Sequence, residues 1–449
     1  VGTAGATSPA VAVQESAEAT GCTVAAVRAG STGTADTARA EQEGPATGAT
    51  RAVAPGPAVR ARRMSFSALV GRLSLHPGAV PSIVCRRPMV GADMMRRLTE
   101  GRRALLLPDI VGAVFSLCAS AQRATARRAV LAAFGQQPAA QDQQLEARML
   151  ALTTAREHLQ RLALDLPLQL PQPGVPADAT WLRDAPVLAL PVRGDGRTAA
   201  ALATASAALP GWLAQRLFGM APAAWLQAWQ ADPDGWLQAW AQGQAAQQHP
   251  VARWLCAVQA DARAFALPCR PLGLVAEGQP GWRALAASLA ADPAFAERPL
   301  WHGQPAESAP WTRAAAPQPV LSLWQRLGAR LADLARLAAS PADGTPPALA
   351  CGARTLAPGE GIAWSEMSRG LLVHWVRLEP GPASQEAARV AQYRVIAPTD
   401  WNFHPGGTLA QALAVPGMDA ARALLAAAVL DPCLPLDLAS EHRAEARDA

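Results

Sequence analysis

The chain of 449 residues contains no lysine. Arginine supplies all of its positive charge, for a formal net charge of +5 and a pI near 9.1. A basic balance first suggests an anionic partner. The arginines, however, are scattered or alternate with carboxylates, and no run of them resembles a stripe that tracks a phosphate backbone. Abundant alanine and proline accompany the missing lysine, as in a GC-rich coding sequence, so the charge says little about function and no nucleic-acid binding is expected. Cysteine is sparse and dispersed. Cys22, Cys85, Cys118, Cys256, Cys269, Cys351 and Cys433 include no two within four residues. An odd, dispersed set argues against a disulfide framework and against a zinc knuckle, so a reducing compartment fits best. No stretch approaches about 18 uninterrupted apolar residues, the length a membrane helix needs. The start also lacks the apolar core of a secretory signal. A cytoplasmic protein without membrane attachment is expected.

One further absence divides the chain. Residues 1–63 contain no Leu, Ile, Met, Phe, Tyr or Trp. Such a segment cannot bury enough apolar area to offset its ordering entropy, so a disordered low-complexity tail is expected there, with Met64 as the expected true start. From residue 64 to 449 the texture is that of a folded domain, in keeping with a chain that is 50% apolar and 17% charged.

Within that domain, "FSALVGRLSLHPGAVPSIVCRRPM" alternates around His76-Pro77-Gly78 as a hairpin does. "PDIVGAVFSLCASAQRATARRAVLAAFG" has helical spacing between Pro108-Asp109 and Gly135, which predicts one helix with Cys118 on its face. "QDQQLEARMLALTTAREHLQRLALDLP" predicts a second, with Leu145, Met149, Leu152, Leu159 and Leu162 on one side. Residues 180–345 read as Ala-, Leu- and Trp-rich helices. "GIAWSEMSRGLLVHWVRLEPG" and "QYRVIAPTDWN" predict a small antiparallel sheet, and a helix over about 417–429 leads to Asp431-Pro432-Cys433. The expected class is α+β, mainly helical, with small β elements near both ends.

The residues then suggest a family. "SEMSRGLLVHW" (365–375) resembles the Glu-Ala-Pro-Arg-Gly-Ala-x-x-His-Trp segment of nickel-iron hydrogenase large subunits. "YRVIAPTDWN" (393–402) resembles their Tyr-x-x-x-x-Pro-Thr-Thr-Trp-Asn segment. "LDPCLPL" is similar to their Asp-Pro-Cys-x-x-Cys terminus without the second Cys. "FSLCASAQRATARRAV" is similar to Cys-Gly-x-Cys-Pro-x-Ala-His followed by a helix, with Phe115 in place of the first Cys, Cys118 at the second and Gln122 at the His. "LVGRLSLHPGAVPSIV" is similar to the family's opening strand pair without its Arg-x-Glu, and "LALTTAREHLQRLALDLP" to a helix that carries His near its end. Such hydrogenases hold nickel and iron with four thiolates from two Cys-x-x-Cys pairs, whereas this chain keeps Cys118 and Cys433 and has Phe115 and Leu436 at the other two places. The usual Arg-Asp after Trp-Asn-x-x-Pro is Gly406-Gly407, and Ala439 stands at the terminal His.

A site with half its soft ligands suits nickel poorly. The pattern resembles the HupK/HoxV type of hydrogenase expression and formation proteins, degenerate relatives with a large-subunit-like helical core. The resemblance implies a non-catalytic scaffold that transiently holds the Fe(CN)2CO fragment. Cys118 and Cys433 would ligate the iron, Arg369 would lie over it and donate to a cyanide, and Thr399 and Gln122 would complete the pocket. A nearby cation would favour the thiolates, and Asp431 and Pro432 would fix the approach of Cys433. Implied partners are the HypC-type chaperone, the HypD system and the immature hydrogenase large subunit. Two alternatives stay open: a divergent hydrogenase-like redox protein binding one metal, and a metal-free docking factor. Without the resemblance, Cys118 and Cys433 are each buried filler, Arg369 pairs with Glu366 on a surface, His374 and Trp375 are structural, and the tryptophan-rich middle is packing.

Overall fold

Two strands open the fold, β1 (Arg72–Leu75) and β2 (Ile83–Arg86), paired antiparallel with Leu73 opposite Cys85 and Leu75 opposite Ile83. Alternation explains them: Leu73 and Leu75 are fully buried while Arg72 faces solvent. The turn between them is pinned by Ser82, whose hydroxyl donates to the Ala410 carbonyl at 2.6 Å. The helices follow: α1 (Ala92–Thr99), α2 (Leu107–Val114), α3 (Ala119–Ala133) and α4 (Ala140–Gln160). Next come α5 (Ala199–Leu213), α6 (Pro222–Ala231), α7 (Pro233–Ala246), α8 (Pro250–Ala264) and α9 (Gln279–Ala291). Strands β3 (Ala266–Pro268) and β4 (Val320–Ser322) pair beside them, and α10 (Leu323–Ala339) runs through the middle of the helical body. The last part comprises β5 (Cys351–Ala357), β6 (Glu360–Met367), β7 (Gly370–Leu378), β8 (Val390–Ile396), α11 (Ala420–Leu430) and β9 (Leu436–Leu438).

This computed structural model describes residues 71–86, 91–115, 118–190, 199–313, 318–339, 349–381 and 384–439. They all fall in one unit, Arg63–Ala449. The expected tail over 1–63 and the Met64 start lie outside the described residues. The class is α+β and mainly helical, with strands near both ends. No helix among the described residues is long and apolar enough to cross a membrane.

Strands β5–β8 form an antiparallel meander. β7 reads "GLLVHWVRL" and is buried along nearly its whole length, because both faces of the sheet are covered. One face lies on α3, whose alanines let the backbones approach closely. A Cβ on Gly361 would fall 2.3 Å from the Ala129 carbonyl, and Thr355 donates to the Ala132 carbonyl at 2.6 Å. The other face lies against α9, where Trp282 stacks on Trp364 with ring centroids 4.0 Å apart. The tryptophans of α6 and α7 are packing: Trp225 meets Trp240 edge-on at 5.8 Å within the main core.

The termini of the domain meet. β9 adds to β1 in parallel, with Leu73 opposite Leu436 and Leu75 opposite Leu438. No local sequence signal marks that pairing. It brings the Asp431-Pro432-Cys433 turn back across the core.

Candidate functional site

Four backbone segments deliver the residues singled out above. Where one helix with Cys118 on its face was expected, the structure has two. The chain leaves α2 at Phe115 (φ −97°, ψ 66°), and Cys118 is the N-cap of α3. The helices pack closely at Gly112, where a Cβ would lie 2.5 Å from the Arg123 side chain, and the break permits that approach. Cys118 is therefore buried at a helix start, with Gln122 one turn on and its amide Nε2 directed at Sγ, 3.7 Å away. The Gln122 Oε1 is buried without a partner among the described residues.

Arg369 stands in the tight turn between β6 and β7. Gly370 follows with φ +135°, and a Cβ there would fall 1.9 Å from the Ser308 carbonyl, so only glycine fits. Asn402 clamps the same turn: its Nδ2 donates to the carbonyls of Ser308 at 2.9 Å and Arg369 at 3.3 Å, while its Oδ1 accepts from the Ser308 amide at 2.8 Å. Arg-Gly and Trp-Asn, distant in sequence, are two halves of one device that holds a guanidinium in place.

Cys433 arrives from α11. Asp431 ends that helix in the left-handed conformation (φ 58°), which aspartate tolerates better than most residues. Beyond it, the Cys433 amide donates to Thr399 Oγ1 at 3.2 Å, and the Thr399 hydroxyl donates to Cys433 Sγ at 3.1 Å. The two sulfurs lie close enough to feel one another's charge, and Arg369 feels both.

Beneath the thiols is a buried charge network. Asp431 forms ion pairs with Arg161 at 3.1 Å, Arg330 at 3.0 Å and Arg369 at 3.5 Å, and of the three only Arg330 donates a hydrogen bond to it. Arg369 also reaches Glu157 at 3.1 Å, and Ser368 donates to the same carboxylate. Arg330 donates to His158 Nδ1 at 3.2 Å, so His158 is the Nε2–H tautomer and donates to Asp333 at 2.8 Å. Burial pushes the His158 pKa down to about 4 against the pull of Asp333. Burial alone would raise Asp431, but Arg369, Arg161 and Arg330 hold it well below the usual carboxylate range. Glu157 is raised, burial outweighing Arg369 and Ser368. Burial opposes the charge on Arg369, yet Asp431, Glu157 and the two sulfurs keep its pKa above the ordinary arginine value.

All five expected residues, Cys118, Cys433, Arg369, Thr399 and Gln122, come together. Two expectations change. Arg369 does not pair with Glu366 on a surface; Glu366 pairs with Arg313 at 3.4 Å, and the Arg369 side chain is only 11% exposed and pairs with Glu157. Nor does the neighbouring cation prevail at Cys118: Arg369 and Gln122 pull its pKa down, but burial first, then Cys433 and Glu157, outweigh them and push it up to about 12. Phe115 is half-buried against the core, and Leu436 is committed to β9 beside Leu73. Among the described residues no group of three or more His, Cys, Asp and Glu is arranged to hold a metal ion.

Glu157, Arg161, Arg330 and Asp333 were not foreseen, and His158 was noted only as the histidine of a helix similar to one in the family. Their signal is a spacing of charged residues at i, i+3 and i+4 on helix faces that are otherwise apolar, "REHLQR" in α4 and "RLADLAR" in α10.

No family model matches the chain. It is similar to the hydrogenase expression/formation protein HoxV of Cupriavidus necator, 39% identical over 390 residues, which are 82% of this chain and 95% of that protein. It is also similar to the hydrogenase expression/formation protein HupK of Azotobacter vinelandii, 30% identical over 391 residues, 83% of this chain and 100% of that one. Among solved structures, a reduced, active Ni-Fe-Se hydrogenase from Desulfomicrobium baculatum aligns with a TM-score of 0.47 at 14% identity, covering 78% of this chain and 93% of its own.

Proposed function

The chain belongs to the family of hydrogenase expression/formation proteins that includes HoxV and HupK, and from that premise we propose that it serves hydrogenase maturation as a non-catalytic scaffold that transiently holds the Fe(CN)2CO fragment. The observation that carries this reading is that Gln122 is directed at the Cys118 sulfur and Thr399 at the Cys433 sulfur, with the two sulfurs and Arg369 near enough for their charges to couple. Low-spin iron with two cyanides and a carbon monoxide has few open positions, and two thiolates suit them. The Thr399 hydroxyl is already committed to Cys433 Sγ, so its part is to aim that sulfur. Gln122 does the same for Cys118 and keeps one unpaired acceptor. Arg369 supplies the donor for a cyanide nitrogen.

The burial of Cys118 also suits release. Burial pushes the Cys118 pKa up to about 12, so coordination of iron would require it to give up its proton. A site that must lose a proton to load gives its cargo up more readily than a preformed thiolate cage. The partners this role calls for are the HypC-type chaperone with HypD, which would bring the fragment, and the immature large subunit, which would receive it. Nickel would find only half of its thiolates here.

Infrared spectroscopy of the anaerobically purified protein tests the reading. Cyanide and carbon monoxide stretches are expected in the native protein and should vanish in Cys118→Ala/Cys433→Ala. A second reading, a metal-free docking factor, draws on the same buried thiol, since an inert core cysteine also has a raised pKa. Full hydrogenase maturation in cells carrying the double variant would establish that second reading instead.

A further inference from the structure

The loop between α1 and α2 forms an exposed ledge that the thiol site does not use. It is fixed to the start of β8 by backbone hydrogen bonds: Gly101 donates to Val390 at 2.8 Å, Val390 to Arg102 at 2.9 Å and Ala104 to Ala388 at 2.9 Å. Within it, Arg103 and Arg389 form an isolated antiparallel bridge. Residues directly opposite across such a bridge project to the same side, and like charges there repel. Arg389 donates to the Gly101 carbonyl at 2.7 Å, and Arg102 is exposed beside it. Among the described residues none of these three guanidinia makes an ion pair. Glu379, whose amide bonds the Arg389 carbonyl, and Glu386 are exposed and do not pair with them. Next along the chain, Leu105 and Leu106 are 46% and 48% exposed.

Unpaired, mutually repelling arginines on a fixed backbone oppose folding slightly and are relieved by an anion. Exposed leucines beside them are what a protein surface covers, and a phosphate backbone does not. Arginine flanking an apolar centre is the make-up of an interface hot spot. We propose that this ledge docks an acidic segment of a partner protein, one with carboxylates on either side of an apolar side chain. The carboxylates bridge Arg102, Arg103 and Arg389, and the apolar group covers Leu105 and Leu106.

The test uses the full chain and a fluorescein-labelled peptide, Glu-Glu-Leu-Glu-Glu-Leu-Glu-Glu, followed by fluorescence anisotropy at several salt concentrations. Arg103→Glu/Arg389→Glu should weaken binding at least tenfold and flatten its salt dependence. Leu105→Ser/Leu106→Ser should weaken it severalfold with the salt slope unchanged. Both pairs lie on the surface, and unchanged thermal melts would show that the variants fold. Absence of peptide binding, or equal binding by the charge-reversed variant, overturns the proposal. So does tighter binding of a single-stranded oligonucleotide or of phosphatidylserine vesicles that the same charge reversal abolishes.

Discussion

The thiol site has two walls that are built differently. The wall formed by β6, β7 and the short helix Pro398–Asn402 is held by close packing and backbone clamps: Gly361 on α3, Gly370 on Ser308, and Asn402 across Ser308 and Arg369. The wall formed by α4, α10 and the Asp431 turn is held by buried charge: three arginines on one aspartate, with Glu157 and His158 at its margins. Arg369 belongs to both. Its backbone is clamped by the first wall and its guanidinium by the second. Packing fixes position whatever the pH. Buried charge adds little net stability, because desolvation cancels most of the attraction, but it is severely damaged when one partner is lost.

That contrast can be broken most forcefully at Asp431. Asp431→Ala leaves Arg161, Arg330 and Arg369 buried without their shared carboxylate, and a loss of about 3–5 kcal/mol in urea unfolding is expected. A loss below about 1 kcal/mol would mean that the network is wet and unimportant. Gly370→Ala strikes the other wall through a conformation L-residues avoid and a clash with Ser308, at a cost of about 2–3 kcal/mol. Asn402→Ala removes one clamp and should cost about 1–3 kcal/mol, leaving Ser308 and Arg369 short of a partner.

The buried histidines make acid destabilising on both walls, while Glu157, held above its ordinary value, opposes this on the charge wall. His158 and His374 are neutral in the fold, pushed by burial down to about 4 and about 3. Unfolding frees each to bind a proton near pH 6.5. Stability is therefore full above that value and falls as pH drops toward about 4 for His158 and about 3 for His374. Asp431, held low in the fold, extends the loss at still lower pH. Tm should drop several degrees between pH 7 and pH 5; a flat profile would mean that the histidines are not buried as neutral groups. The smallest effect on stability is expected from Thr399→Val, about 1 kcal/mol. Its main consequence should be a lower yield of infrared-active iron complex, because Cys433 loses its orienting hydroxyl.

The packed wall was the more legible one. β6 and β7 declare themselves by β-branched and aromatic runs, and Arg369-Gly370 and Trp401-Asn402 stood out as motifs. Their shared clamp did not, because Ser308 lies in a stretch without pattern. The helix break at Phe115 was hidden, since helical spacing continues through it and only the close approach at Gly112 reveals the need for a turn. The charge wall was largely invisible. Buried arginines look like surface arginines until the topology encloses them, and Arg330 in α10 reads as one more polar residue on an amphipathic helix. The two thiols were singled out by resemblance, but the burial that raises the Cys118 pKa was not legible. Proximity to a cation is a local property, whereas desolvation depends on the whole fold.

The central claim is that two sulfurs, one from each end of the domain, share one iron. Iron K-edge X-ray absorption of the anaerobically purified protein measures this directly. Two sulfur scatterers per iron are expected, falling to one in Cys118→Ser and one in Cys433→Ser. Four sulfurs, or a sulfur count unchanged by either substitution, would contradict it.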